Sequence, residues 1–158
     1  MDITFNIGKD KFNYRVCAVI TNNNKILAMK DGRAPYFYLP GGRVMMGETA
    51  ENAIIRELKE ELGITAEIIR PLYLNQAFFK EDVNGLNYHE ICLYFLMDIS
   101  HSDLLLKEEK FSIHEGENQI IFQWLDFERL KDEYFYPQFL KETIFDLPEV
   151  FTILIEKE

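Results

Sequence analysis

The residues of this chain best equipped for chemistry lie between Pro40 and Ile64. On a helix turning about 100° per residue, with Ala50 at zero, Glu57, Glu60 and Glu61 fall at about 340°, 280° and 20°. They share one sector. Ile54, Ile55, Leu58 and Leu62 fill the adjoining one, from about 40° to 140°. Such a helix buries one side and presents three carboxylates beside it, at the edge of a core. The like-charge spacings Glu57–Glu61 and Glu57–Glu60 each cost roughly 0.2–0.5 kcal/mol, and Arg56 is the local relief. At a core edge this repulsion either raises a carboxylate pKa or draws in a cation. Clustered hard oxygen donors suit Mg²⁺ or Mn²⁺, which keep several waters and share substrate phosphate oxygens. A solvated acidic helix face is the plain alternative.

The elements that must position these groups can be read from the pattern. A helix is expected from Thr49 to Leu62, closed by Gly63 as its C′ residue. Strands are expected at Ile3–Ile7, Phe12–Thr21 and Lys25–Lys30, the last two joined through Asn22-Asn23-Asn24. Tyr36–Leu39 reads as a short aromatic strand, and Pro40-Gly41-Gly42 as a sharp break. Ile64–Phe79 and Tyr88–Ile99 read as long strands joined around Asn84-Gly85. The stretch 100–118 is polar and reads as a long loop. A strand at Gln119–Leu125, a helical turn at Phe127–Lys131, a helix at Pro137–Phe145 and a last strand at Val150–Ile155 follow. Antiparallel strands with few helices predict an α+β chain, helices packed on a mixed sheet, in a single domain over 1–158.

Composition limits the function classes. With 158 residues, 47% of them hydrophobic, a core is affordable and whole-chain disorder is excluded. A net charge of −10 argues against a nucleic acid polymer as partner, since a polyphosphate needs a basic surface. The charge is uneven: residues 1–47 hold seven basic and three acidic side chains. Arg15, Lys30, Arg33 and Arg43, all in that basic third, could meet phosphates, although surface solvation is the better account of each taken singly. Cys17 and Cys92 sit in apolar runs and read as buried free thiols of a reducing compartment. There is no apolar run of membrane-spanning length and no signal-like N-terminus, so a cytoplasmic protein is expected.

The segment Gly42-x₅-Glu48-x₇-Arg56-Glu57-Leu58-x-Glu60-Glu61-x-Gly63-Ile64 resembles the Nudix box at every specified position. Chance agreement is on the order of 10⁻⁹ per starting position at ordinary residue frequencies. Leu39-Pro40-Gly41 leads into it as in many members. The resemblance implies an α/β/α sandwich and hydrolysis of a nucleoside diphosphate linked to a group X, with water attacking phosphorus. It further implies Mg²⁺ (or Mn²⁺) held by Glu57, Glu60, Glu61 and the Gly42 carbonyl, with Arg56 orienting Glu57 and Glu48 supporting the site. Glu48 could instead serve only as an early-turn acid complementing the helix dipole. A further acidic ligand outside the box is expected at Glu117, with Glu115 second. Arg15, Arg33 and Arg43 are the substrate-binding candidates.

His89 shares a face with Ile91, Leu93, Phe95 and Met97 and reads as a packed side chain rather than a catalyst. Tyr36, Phe37 and Tyr38 read as core packing before base stacking, and Tyr134-Phe135-Tyr136 as a possible homodimer patch. A Nudix-fold sensor that binds a nucleotide without turnover is the rival reading. The group X stays open among ADP-ribose, nucleotide sugars, dinucleoside polyphosphates and nucleoside triphosphates.

Overall fold

The computed structural model describes residues 1–158, apart from the side chain of Glu115, so the second acidic candidate lies outside the described residues. In chain order the elements are β1 (Thr4–Ile7), β2 (Asp10–Val19), β3 (Thr21–Asn22), β4 (Lys25–Lys30), β5 (Gly41–Arg43), α1 (Ala50–Leu62), β6 (Glu67–Lys80), β7 (Asn87–Asp98), β8 (Lys110–Glu115), β9 (Asn118–Asp126), α2 (Leu140–Thr143) and β10 (Thr152–Lys157). Single 3₁₀ turns occupy Asp103–Leu106 and Phe127–Asp132.

The main sheet runs β1-β2-β7-β6-β10, with β5 also on β2. It is mixed: β2 lies parallel to β7 and β10 parallel to β6, while β6 and β7 are antiparallel. A second sheet runs β3-β4-β9-β8. The α1 side chains Ala53, Ile54 and Leu58 pack against Val16 and Ala18 of β2 and Leu27, Phe122 and Trp124 of the smaller sheet. On the other face Cys17, Tyr73 and Tyr94 meet Leu130, Phe135, Leu140 and Ile144. Helical segments therefore flank the main sheet on both faces, as the α+β sandwich requires. Among the described residues, no helix is long and apolar enough to cross a membrane.

The expected helix is present, with Thr49 as its N-cap: Oγ1 accepts the Asn52 N–H at 3.1 Å. At the other end Gly63 adopts φ 68° and its N–H donates to the Lys59 carbonyl at 3.0 Å. Three expectations need correction. Tyr36–Leu39 is no strand; Phe37 and Tyr38 make only isolated bridges, to Phe135 and Met29. The neighbouring Gly41–Arg43 is the strand instead, because glycines can lie close against β2, whose edge at Arg15–Cys17 needs partners. The presumed loop over 100–118 contains β8, where Phe111 and Ile113 pack toward the core from beside β9. Finally, the helix expected over Pro137–Phe145 shortens to α2.

Candidate active site

Arg56 is the hub of the site. Its guanidinium grips Glu48 with two bonds, Nε to Oε2 at 2.7 Å and Nη2 to Oε1 at 3.0 Å. Nη1 reaches Glu57 at 3.0 Å and Glu60 at 3.2 Å, and Nη2 also donates to the Arg43 carbonyl at 3.0 Å. One planar cation thus ties the start of α1, its last turns and β5 together. Glu48 is more than a dipole-complementing acid: it additionally accepts the Met45 N–H at 3.0 Å. The hydrogen bonds from Arg56 hold it below the usual carboxylate range.

The three box carboxylates differ in setting. Glu60 is exposed, whereas Glu57 and Glu61 are partly buried. Burial raises the Glu57 carboxyl above its ordinary range, although Arg56 opposes the shift. Glu61 is pushed up to about 8 by burial, with the charge of Glu57 adding to the shift and a hydrogen bond from the Gly41 N–H opposing it. That bond measures 2.9 Å. A Cβ at position 42 would overlap the Glu57 carboxylate and displace it, and at Gly41 it would run into the Val16 backbone carbonyl. The trio does not converge on one point: among the described residues no three acidic, histidine or cysteine groups form a ready cation cage. Arg56 draws Glu57 and Glu60 while Gly41 draws Glu61. The donor set nevertheless consists of oxygens alone, two of them on carboxylates whose burial disfavours an uncompensated charge, and that fits a hard divalent cation.

Arg15 joins this group. It pairs with Arg43 across β2 and β5, and its charge lowers the proton affinity of both Glu57 and Glu61. Burial works against its own charge, but Glu90 together with Cys17, Cys92 and Tyr94 outweighs it and keeps the guanidinium charged. Arg33 is engaged elsewhere, donating to Asp31 at 2.8 Å with its side chain 77% exposed. Glu117 sits in the turn between β8 and β9 and lines a cavity of about 490 Å³ with Lys30, Asp31 and Phe37; none of the box carboxylates lines it. His89 meets the rings of Phe78 and Phe12 but is exposed, so it is not the partly buried side chain that strand parity suggested.

Sequence reasoning missed a polar strip on the sheet face that bears Arg15. Buried Asn13 donates to Glu90 at 3.4 Å and buried Asn75 to Glu156 at 2.6 Å, while Asn75 Oδ1 has no partner. Strand parity with Arg15 could have marked Asn13; Asn75 and Glu156 join only through sheet order.

A family profile described as NUDIX domain matches residues 11–145. The chain belongs to this family. It is 36% identical over 92 residues to the ADP-ribose pyrophosphatase of Methanocaldococcus jannaschii, an alignment covering 56% of this chain and 52% of that one. The chain spans about half or less of the length of the curated relatives it matches first. Its fold is similar to that of a MutT protein from Bacillus halodurans, with TM-score 0.57, 12% identity and coverage of 91% and 90% of the two chains. An ADP-ribose pyrophosphatase from Streptococcus suis gives TM-score 0.53 at 15% identity, covering 91% and 98%.

Proposed function

We propose that this chain is a divalent-metal-dependent pyrophosphohydrolase acting on a nucleoside diphosphate linked to a second group. The observation that supports it most is the Arg56 hub, which fixes Glu48, Glu57 and Glu60 beside a glycine strand whose Gly42 lies directly against the Glu57 carboxylate. Glu57, Glu60, Glu61 and the Gly42 carbonyl would hold Mg²⁺ or Mn²⁺, which when bound neutralises the pyrophosphate and acidifies water.

Glu60, exposed and linked to Arg56, would accept a proton from the attacking water, with Glu57 beside it. Arg56 and Glu48 act as positioning residues. Arg15 and Arg43, adjacent across two strands, meet the phosphates. Glu117 lines a separate cavity beside the β8–β9 turn and Arg33 is committed to Asp31, so this proposal gives neither a role. Similarity to an ADP-ribose pyrophosphatase supports putting ADP-ribose first among candidate substrates.

The test is a panel of ADP-ribose, nucleotide sugars, dinucleoside polyphosphates and nucleoside triphosphates with Mg²⁺ or Mn²⁺, scored by released phosphate products. Turnover is expected for at least one. Glu57→Gln and Glu60→Gln should each lower kcat by roughly 10²-fold or more. Binding of a nucleotide with no turnover would identify a sensor and overturn the proposal.

A further inference from the structure

One face of the main sheet is covered by α1 at one end only and is left open by its own chain beyond the helix. Register places Phe5, Phe12, His89, Phe78 and Lys157 in one row across β1, β2, β7, β6 and β10. Tyr14, Ile91, Gln76 and Ile155 form the next row, and Val16, Leu93, Leu74 and Ile153 the third. Helix α1 covers this face only at the Val16 end, through Ala53, Ile54 and Leu58. Beyond the helix, Phe5 is 52% exposed, Ile7 70%, Ile153 63% and Ile155 66%. The rings form a continuous row: Phe5 stacks on Phe12 at 5.3 Å, Phe12 meets His89 edge-on at 5.7 Å, and His89 lies 4.5 Å from Phe78. Lys157 caps that row, 5.7 Å from the Phe78 centroid.

We propose that this face is the interface between two copies of the chain. Five strands at about 4.8 Å spacing and three rows of side chains span a footprint of roughly 400–500 Å², mostly apolar and covered by α1 only at Val16. That matches the dry centre of a standard interface of about 800 Å² per partner, the remainder being polar rim. Charge selects the same occupant. The chain carries 27 acidic against 17 basic residues, yet these three rows contain no carboxylate, and Lys157 stands at their edge. Two copies can therefore meet here without opposing their acidic surfaces. Sheet faces of equal relief pack about 10 Å apart, and a two-fold axis makes the patch self-complementary. The aromatic run Tyr134–Tyr136 is the smaller candidate: Phe135 is buried, and the exposed rings of Tyr134 and Tyr136 gather around Tyr36 at 5.5 and 5.0 Å.

Sedimentation velocity over a dilution series tests the proposal on the wild type, Ile155→Lys and, as a control on the tyrosine patch, Tyr134→Lys. The wild type and Tyr134→Lys should sediment at twice the chain mass of 18.7 kDa. Ile155→Lys should sediment at the single-chain mass with unchanged circular dichroism; Ile153→Lys repeats the measurement should Ile155→Lys misfold. A monomeric wild type, a dimer that persists in the folded Ile155→Lys and Ile153→Lys variants, or a dimer broken by Tyr134→Lys would each overturn it. So would a wild-type monomer that co-sediments with phosphatidylcholine vesicles, because the face would then bind lipid.

Discussion

Glu61 shows how a single side chain couples the catalytic site to stability. Burial lifts its carboxyl to about 8 in the folded protein against an unperturbed value of 4.5. The folded state thus holds a proton that the unfolded state has released throughout that window. Stability contributed by this group is present below about 4.5 and declines as pH rises toward 8. Glu48 works in the opposite sense, since Arg56 depresses its pKa; its contribution is present above the unfolded value and is lost only on acidification. In chelator-treated protein, thermal unfolding should therefore show the melting temperature falling from pH 5 to pH 8. Glu61→Gln should flatten that slope. An equal slope in the variant would show that Glu61 is not the titrating group.

At the scale of elements, what could be read from sequence was what is locally encoded. The Thr49 cap, the buried stripe of Ile54, Leu58 and Leu62, and Gly63 beyond it all lie within α1 and its ends, so periodicity and capping sufficed. Strand β5 was illegible because Gly-Gly reads as a break; it is extended only because β2 offers an edge to pair with. Likewise β8 carries Lys110, His114 and Glu115 among few apolar residues, and becomes a strand through β9. Long-range pairing also hid the neighbourhood of Arg15, which depends on β2 lying between β5 and β7.

The contact between β5 and α1 supports an element-scale prediction. Gly42→Ala puts a methyl group against the Glu57 carboxylate, and Arg56 limits how far that carboxylate can retreat. Turnover should fall by at least tenfold, while the protein stays folded with a melting temperature lower by roughly 2–12 °C, about 1–3 kcal/mol for a local overpacking. A variant with full turnover would show that the glycine strand does not define the position of Glu57.

For the molecule as a whole, the electrostatic imbalance and the site point to the same ligand. A chain of net charge −10 repels itself in the compact state, and Glu57 and Glu61 bring two of its carboxylates partly out of water. A divalent cation bound there favours the folded state by RT ln(1 + [L]/Kd), about 2.7 kcal/mol at a hundredfold excess over Kd. For a domain of this size that corresponds to a rise in Tm of roughly 5–10 °C. General screening must be separated from binding, because monovalent salt at matched ionic strength also weakens surface repulsion. Melting curves in Mg²⁺ should exceed those in ionic-strength-matched NaCl for the wild type. In Glu57→Gln the excess should largely vanish, while the NaCl response stays the same. If both proteins gain equally from Mg²⁺ and from NaCl, the cation is acting on the acidic surface at large and the carboxylates of α1 do not hold it.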